Sequence, residues 1–172
     1  VAGGELSRLF GDLGADVIKI ESADYPDGLR QARIGDAMSE SFAWTHRNHR
    51  ALGLDLRSTA GKEIFGRLVT EADAVFANFK PGTLTSLGFN YEALHALNPR
   101  IVLAGSSAFG NAPGPWRGRL GYGPLVRATT GITRVWTSDE PPAEGARHAF
   151  YDATTIFPDH VVGRIAAAVA LA

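Results

Sequence analysis

The strongest constraint on the fold is an alternation of short apolar runs with segments of helical periodicity. Near the N-terminus, Leu6, Leu9, Phe10 and Leu13 recur at helical spacing, and Gly14 follows at the position of a C-terminal cap. Each later apolar run predicts a strand, and these runs lie at residues 16–21, 50–56, 74–79 and 100–107. Strands that alternate with helices in this way predict an α/β fold, with a Rossmann-like parallel sheet and helices on both faces.

The segments between the strands add detail. Ser58 and Thr59 offer a cap for a helix that runs to residue 73, and Pro99 stops a shorter helix that begins near residue 91. The polar stretch after residue 21 predicts a loop, whereas residues 122–131 predict a helix ended by Gly131, followed by a strand and a turn over 133–142. Asp159, placed between a proline and a long small-residue helix, predicts a cap of that helix.

Composition narrows the class of protein. The 172 residues suit one domain, and 45% hydrophobic with 20% charged residues is typical of a soluble globular chain. The net charge of -1, with acids and bases interspersed, disfavours nucleic-acid and anionic-membrane partners. The chain has no cysteine, which excludes thiol nucleophiles, and no apolar run reaches the ~18 residues of a membrane span. We therefore expect a cytoplasmic protein.

Ligands of open α/β sheets bind at the carboxyl ends of the strands, so the residues there are candidates for a site. "ANFKPG", residues 77–82, offers Phe79 as a stacking face and Lys80 as a phosphate partner, although a plain turn with Phe79 in the core fits the same pattern. "DLRST" puts Arg57 at a helix N-terminus that either attracts an anion or is simply capped. Phosphate-loop, dinucleotide and zinc-ligand spacings are absent from the sequence.

Taken together, the motifs resemble the family III CoA-transferases. The matching stretches, in one fixed order, are "GDLGADVIKIE", "HRNHRALGLDL", "ADAVFANFKPG", "LGFNYEALHALNPRIV" and "SSAFGNAPGP". The resemblance implies an enzyme that moves coenzyme A between carboxylic acids, with CoA or acyl-CoA as substrate and no permanently bound cofactor or metal. A 2-methylacyl-CoA racemase of the same fold and a catalytically inactive CoA-binding fragment remain alternatives.

The resemblance also implies a nucleophile. In this family an aspartate attacks the acyl-CoA thioester, giving a mixed anhydride and then an enzyme thioester. The family pattern is an Asp followed four residues later by Gly and a small-residue helix. Asp159 has Gly163 at that spacing, whereas Asp152 has Ile156. Asp159 is therefore the implied nucleophile, with Asp152 as the fallback, although the preceding residue is a proline where the family often has glycine.

The CoA-binding positions implied by the resemblance come from four parts of the chain. They are Val1, Ala2, Leu54, Asp55, Leu56, Arg57, Asn78, Phe79, Lys80 and Tyr122. Ser22 and Ser86 replace two family arginines, which leaves Arg30, Arg47 or Arg50 to compensate at the phosphates. Tyr122 also replaces the histidine of a Gly-His-Asp motif in the racemases, which favours the transferase.

Family members are longer chains with a second, smaller domain, and they form interlocked homodimers. The resemblance therefore implies that residues 1–172 are part of the large CoA-binding α/β domain. The first strand, the C-terminal half of the family fold and the small domain would lie outside this chain. For the full-length protein it implies a homodimer that acts on an acyl-CoA and a carboxylic acid.

Overall fold

The structure is a computed structural model that describes residues 1–31, 37–138, 144, 149–150 and 156–172. A short 3-10 helix at Gly28–Arg30 lies between the first strand and the second α-helix. The other elements, in chain order, are α1 (Ala2–Asp12), β1 (Val17–Glu21), α2 (Glu40–Thr45), β2 (His49–Gly53), α3 (Thr59–Glu71), β3 (Ala74–Ala77), α4 (Thr83–Leu87), α5 (Tyr91–Leu97), β4 (Val102–Gly105), α6 (Gly123–Thr129), α7 (Ile132–Val135), β5 (Thr137–Ser138), β6 (Ala149–Phe150) and α8 (Phe157–Leu171).

The strands pair two by two. β1 and β2 are parallel, with Val17 opposite His49, and β3 and β4 are parallel, with Ala74 opposite Val102. The short strands β5 and β6 are antiparallel. The α/β class and its parallel strands are thus confirmed, and the described strands form three separate pairs instead of one continuous sheet.

The hydrophobic core lies between α3, α5 and the strands. Its buried members are Phe65, Val69, Phe89, Leu94 and Ile101. The rings of Phe65 and Phe89 meet edge to face, with centroids 4.6 Å apart, a geometry that aromatic pairs favour. This core holds the carboxyl ends of β3 and β4 in place beneath the turn that follows β3.

Three strands are shorter than the apolar runs predict. The last bond between β1 and β2 joins the Leu54 amide to the Glu21 carbonyl at 3.0 Å, and β1 ends there. A strand needs a partner for its hydrogen bonds, so residues 54 and 55 lie outside the sheet and residues 56 and 57 form a turn. In the same way β3 ends at Ala77 and β4 at Gly105, which places Asn78 and Phe79 in the turn before α4.

Two helices replace predicted loop or strand. The loop expected after residue 21 contains α2, which begins because the Ser39 hydroxyl accepts a hydrogen bond from the Phe42 amide at 3.1 Å. The strand expected from residue 133 begins only at Thr137, since Gly131, with φ +79°, starts the extra helical turn of α7. The predicted caps at Gly14, with φ +99°, and Ser58, which bonds the Gly61 amide at 3.0 Å, are confirmed.

Candidate active site at the first turn of α1

Helices α1 and α8 bring the two ends of the chain together. At Gly163 in α8, an added Cβ would lie 2.8 Å from Cβ and Cγ of Glu5 and 3.1 Å from the Ala2 carbonyl oxygen. Only a residue without a side chain allows so close an approach. The spacing of Asp159 and Gly163 therefore has a physical meaning, because contact at Gly163 brings the preceding turn of α8 to the first turn of α1.

Asp159 does not cap its own helix, so the prediction of a cap is wrong. Ile156 is the N-cap of α8 and makes no side-chain bond, and Asp159 lies inside the first turn. Its Oδ1 instead accepts a hydrogen bond from the Ala2 amide, at 3.3 Å. The carboxylate thus meets the N-terminus of α1, where backbone amides lack partners within the helix and the dipole favours an anion.

Helix α6 reaches the same carboxylate from another side. An added Cβ at Gly123, the first residue of α6, would lie 2.4 Å from Oδ2 of Asp159 and 3.2 Å from Cα of Ile156. The carboxylate therefore occupies space that any other residue at this position would fill. Tyr122, immediately before, is the N-cap of α6 and is 85% exposed.

Asn78 also packs on the first turn of α1. An added Cβ at Gly3 would lie 2.9 Å from Cγ of Asn78 and 3.1 Å from its Oδ1. Five of the residues singled out in the sequence thus converge here from four parts of the chain. They are Val1, Ala2, Asn78, Tyr122 and Asp159.

Phe79 and Lys80 line a cleft of about 410 Å³ at the carboxyl ends of β3 and β4. Ser106 and Ser107 also line it, together with the aromatic residues Phe89 and Tyr91. Phe79 is 48% exposed, so the alternative that packs it in the core is wrong. The turn after β3 therefore joins the two regions, because Asn78 packs against α1 and the next two residues line the cleft.

Residues 54–57 follow β2 instead of β3. Leu54 and Leu56 pack against the core, and Oδ1 of Asp55 accepts a hydrogen bond from the Arg57 amide at 2.9 Å. Arg57 donates a hydrogen bond from Nη1 to the Tyr25 hydroxyl at 2.8 Å and stacks on the Tyr25 ring. The hydrogen bond raises the pKa of Arg57 above its ordinary value. These contacts place residues 54–57 against the core and Tyr25, whereas Asp159 lies at the first turn of α1.

The three arginines expected to compensate at the phosphates are each paired with a carboxylate. Arg30 donates to Glu21 at 2.5 and 2.8 Å, and this bond, ahead of the charge of Lys19, lowers the pKa of Glu21 to about 2. The other two pairs join Arg47 to Asp12 and Arg50 to Asp16. An incoming phosphate would have to compete with these pairs.

The sequence prediction missed Glu5, which is fully buried between α1 and α8. Its carboxylate lies 2.8 Å from Arg8 Nη2, 3.3 Å from Arg164 Nη2 and 3.4 Å from His160 Nδ1. A Glu three residues before an Arg on a helix is the one signal that the sequence offers for such a pair. The contacts across to α8 depend on packing and have no local signal.

The fallback nucleophile, Asp152, lies outside the described residues. Within the described ranges, no group of three or more His, Cys, Asp or Glu residues could hold a metal ion. In the same part of the chain, no helix combines the length and apolar character that crossing a membrane requires.

Comparison with known proteins identifies the family. The pattern described as CoA-transferase family III matches residues 1–172. The chain belongs to this family. The resemblance inferred from the motifs is therefore confirmed.

Individual relatives agree with this membership. The chain is 80% identical over 172 residues to "Probable CoA-transferase Rv1866" of Mycobacterium tuberculosis, covering 100% of this chain and 22% of that protein. It is 39% identical over 128 residues to an acetyl-CoA:oxalate CoA-transferase of Acetobacter aceti, covering 73% of this chain and 32% of that protein.

Among solved structures, an orthorhombic crystal form of Rv3272 from M. tuberculosis superimposes with a TM-score of 0.84 at 30% identity, over 99% of this chain and 45% of that one. The chain thus spans less than half the length of each of these relatives.

Proposed function

We propose that the protein carrying this chain is a CoA-transferase that moves coenzyme A between carboxylic acids, with Asp159 as the nucleophile. One observation supports this most directly. The Asp159 carboxylate accepts a hydrogen bond from the Ala2 amide at 3.3 Å and lies next to Gly123, and the chain belongs to CoA-transferase family III. A carboxylate at a helix start is stabilised as an anion, which is the form that attacks a thioester.

The proposed reaction has two exchanges. An oxygen of Asp159 attacks the thioester carbonyl carbon, the C–S bond breaks, and CoA departs as a thiolate. The acyl group is then joined to Asp159 as a mixed anhydride. The thiolate attacks the aspartyl carbonyl, releases the donor acid as a carboxylate and forms an aspartyl-CoA thioester. The acceptor carboxylate then attacks this thioester and expels the thiolate. The thiolate takes the acceptor acyl group from the second anhydride, which frees Asp159.

The cleft after β3 is our proposed place for the nucleotide end of CoA. Phe79 is half exposed and offers a face on which an adenine can stack, and Lys80 beside it offers a cation for a phosphate. Asn78, which precedes them in the same turn, packs against the first turn of α1, where the Ala2 amide meets Asp159. Residues 54–57 would contact the adenosine from the side of β2, with Arg57 as a second cation.

The remaining proposals concern the full-length protein. Residues 1–172 would form part of the large CoA-binding α/β domain of a homodimeric cytoplasmic enzyme, with the small domain outside this chain. The greater length of the relatives supports this arrangement. The acids exchanged would be small carboxylic acids, as for the acetyl-CoA:oxalate CoA-transferase of Acetobacter aceti.

The nucleophile can be tested by chemical trapping. The full-length protein is incubated with a panel of acyl-CoAs and quenched with hydroxylamine, which converts an aspartyl anhydride or thioester to a hydroxamate. Mass spectrometry should locate the hydroxamate at Asp159. The label should be lost in Asp159→Asn and retained in the matched control Asp152→Asn.

Other outcomes contradict the proposal in distinct ways. A hydroxamate at Asp152 would reassign the nucleophile. Deuterium incorporation at the 2-carbon of an acyl-CoA without any hydroxamate would indicate the racemase. If both the hydroxamate and the deuterium incorporation are absent, the protein only binds CoA.

A further inference from the structure

Behind the proposed nucleophile lies the buried carboxylate of Glu5, for which the proposed reaction has no role. Its Oε2 contacts Arg8 on the same helix, and both oxygens face α8, where His160 and Arg164 approach to 3.4 and 3.3 Å. His160 directly follows Asp159 in the sequence. Glu5 therefore holds the same turn of α8 that carries the proposed nucleophile.

The attraction between these groups is mainly ionic. Among the described residues, neither oxygen of Glu5 has a partner in hydrogen-bond geometry, although three cationic or titratable groups lie within 3.4 Å. Burial raises the pKa of Glu5, but the Arg8 and His160 side chains lower it by more than burial raises it, so the net shift is downward. Glu5 is thus an anion at neutral pH, and neutralising it would weaken the contacts with α8.

Glu5 and the partner of Asp159 belong to one helical turn. The Glu5 amide bonds the Val1 carbonyl at 2.8 Å, which closes the turn that presents the Ala2 amide to Asp159. On α8, Gly163 rests on Cβ and Cγ of Glu5. A shift of α8 relative to Glu5 would therefore change the distance between the Ala2 amide and Oδ1 of Asp159.

We propose that Glu5 is a positioning residue for Asp159. Its contacts with His160 and Arg164 fix the first two turns of α8 against the first turn of α1, so that the Asp159 carboxylate is held where it can attack a thioester. This inference rests on the proposed function. Displacing a reacting group by about 1 Å can reduce a rate by about 10²-fold, so a loosened contact should affect the chemistry more than substrate binding.

The test compares Glu5→Gln with the unaltered full-length protein. The single-turnover rate of hydroxamate formation at Asp159 should fall by about 10- to 100-fold. The Kd for acyl-CoA should stay within about twofold, because the cleft at Phe79 and Lys80 is unchanged. Glu71→Gln is the matched control, since Glu71 is an exposed glutamate at the last position of α3, and it should acylate at close to the unaltered rate.

Each result decides the matter. Acylation of Glu5→Gln at the unaltered rate, or an equal loss of acylation and acyl-CoA binding, would overturn the inference.

If Glu5→Gln does not fold, Arg164→Gln replaces it, because Arg164 is an exposed partner of Glu5. That variant should acylate several-fold more slowly, and Arg164→Lys should recover the rate; equal rates for both would overturn the inference. Absence of a hydroxamate at Asp159 in the unaltered protein would instead overturn the proposed function.

Discussion

Three glycines determine how closely other residues approach the candidate site. An added Cβ would meet Asn78 at Gly3, Asp159 at Gly123 and Glu5 at Gly163, in each case below 3.0 Å. Real Cβ atoms essentially never lie so close to another heavy atom. At the scale of single residues, the site is therefore defined as much by absent side chains as by the carboxylate itself.

His46 should make the stability of the protein depend on pH. Burial, together with the charge of Lys19, lowers its pKa to about 4, although Asp27 opposes the shift from 3.0 Å. In the unfolded chain the pKa is about 6.5, so between these values the unfolded state binds a proton that the folded state does not. The free energy of unfolding should therefore fall as the pH is lowered from 6.5 to 4, by up to roughly 3 kcal/mol.

Urea unfolding at a series of pH values from 7 to 4 measures this effect. His46→Gln should show a shallower fall, with the remainder due to His49, whose pKa burial also lowers. Glu21 and Asp27, with pKa values of about 2, contribute only below roughly pH 4.5. An unchanged slope in His46→Gln would contradict the assignment.

At the scale of elements, the contact of α1 with α8 is the feature most sensitive to substitution. Gly163→Ala places a Cβ 2.8 Å from Glu5 and 3.1 Å from the Ala2 carbonyl, so the helices must separate. Overpacking of this kind costs about 1–3 kcal/mol. We expect a lower urea midpoint and a slower acylation of Asp159.

Gly66→Ala is the matched control, since Gly66 also lies inside a helix, α3. Its added Cβ would meet only Leu97, at 3.8 Å, which is an ordinary contact. Alanine favours a helix over glycine by about 1 kcal/mol, so this variant should be as stable as the unaltered protein or more so. Equal destabilisation by the two substitutions would show that helix packing is not the cause.

At the scale of the whole molecule, the exposed side of α8 is apolar. Val162, Ile165 and Val169, which share one face of the helix, are between 41% and 71% exposed. Contiguous exposed apolar surface drives association. A polypeptide of residues 1–172 expressed alone should therefore self-associate, and Val169→Glu should shift it toward the monomer in sedimentation velocity at equal concentration.

Val135→Glu controls for the added charge, because Val135 is 78% exposed but lies on α7. It should leave the association of the same polypeptide nearly unchanged. A similar shift in both variants would mean that net charge, and not the face of α8, governs association.

Local features of the sequence determined most of the elements. The Ser58 cap and the Gly14 turn follow from bonds and backbone angles within a few residues, and both are confirmed. The ends of β2 and β3 could not be predicted in this way, because a strand stops where its partner stops. The extra turn of α7 depends on the left-handed backbone conformation of Gly131.

The site divides along the same line. The sequence by itself singled out Asp159 and its spacing to Gly163, and the order of the motifs indicated the family. Only the tertiary structure decided that the carboxylate bonds the Ala2 amide, 157 residues away, instead of capping its own helix, and that Glu5 is buried beneath it. The physical reason is that a cap is chosen among nearby amides, whereas this contact is set by how closely α8 packs on α1.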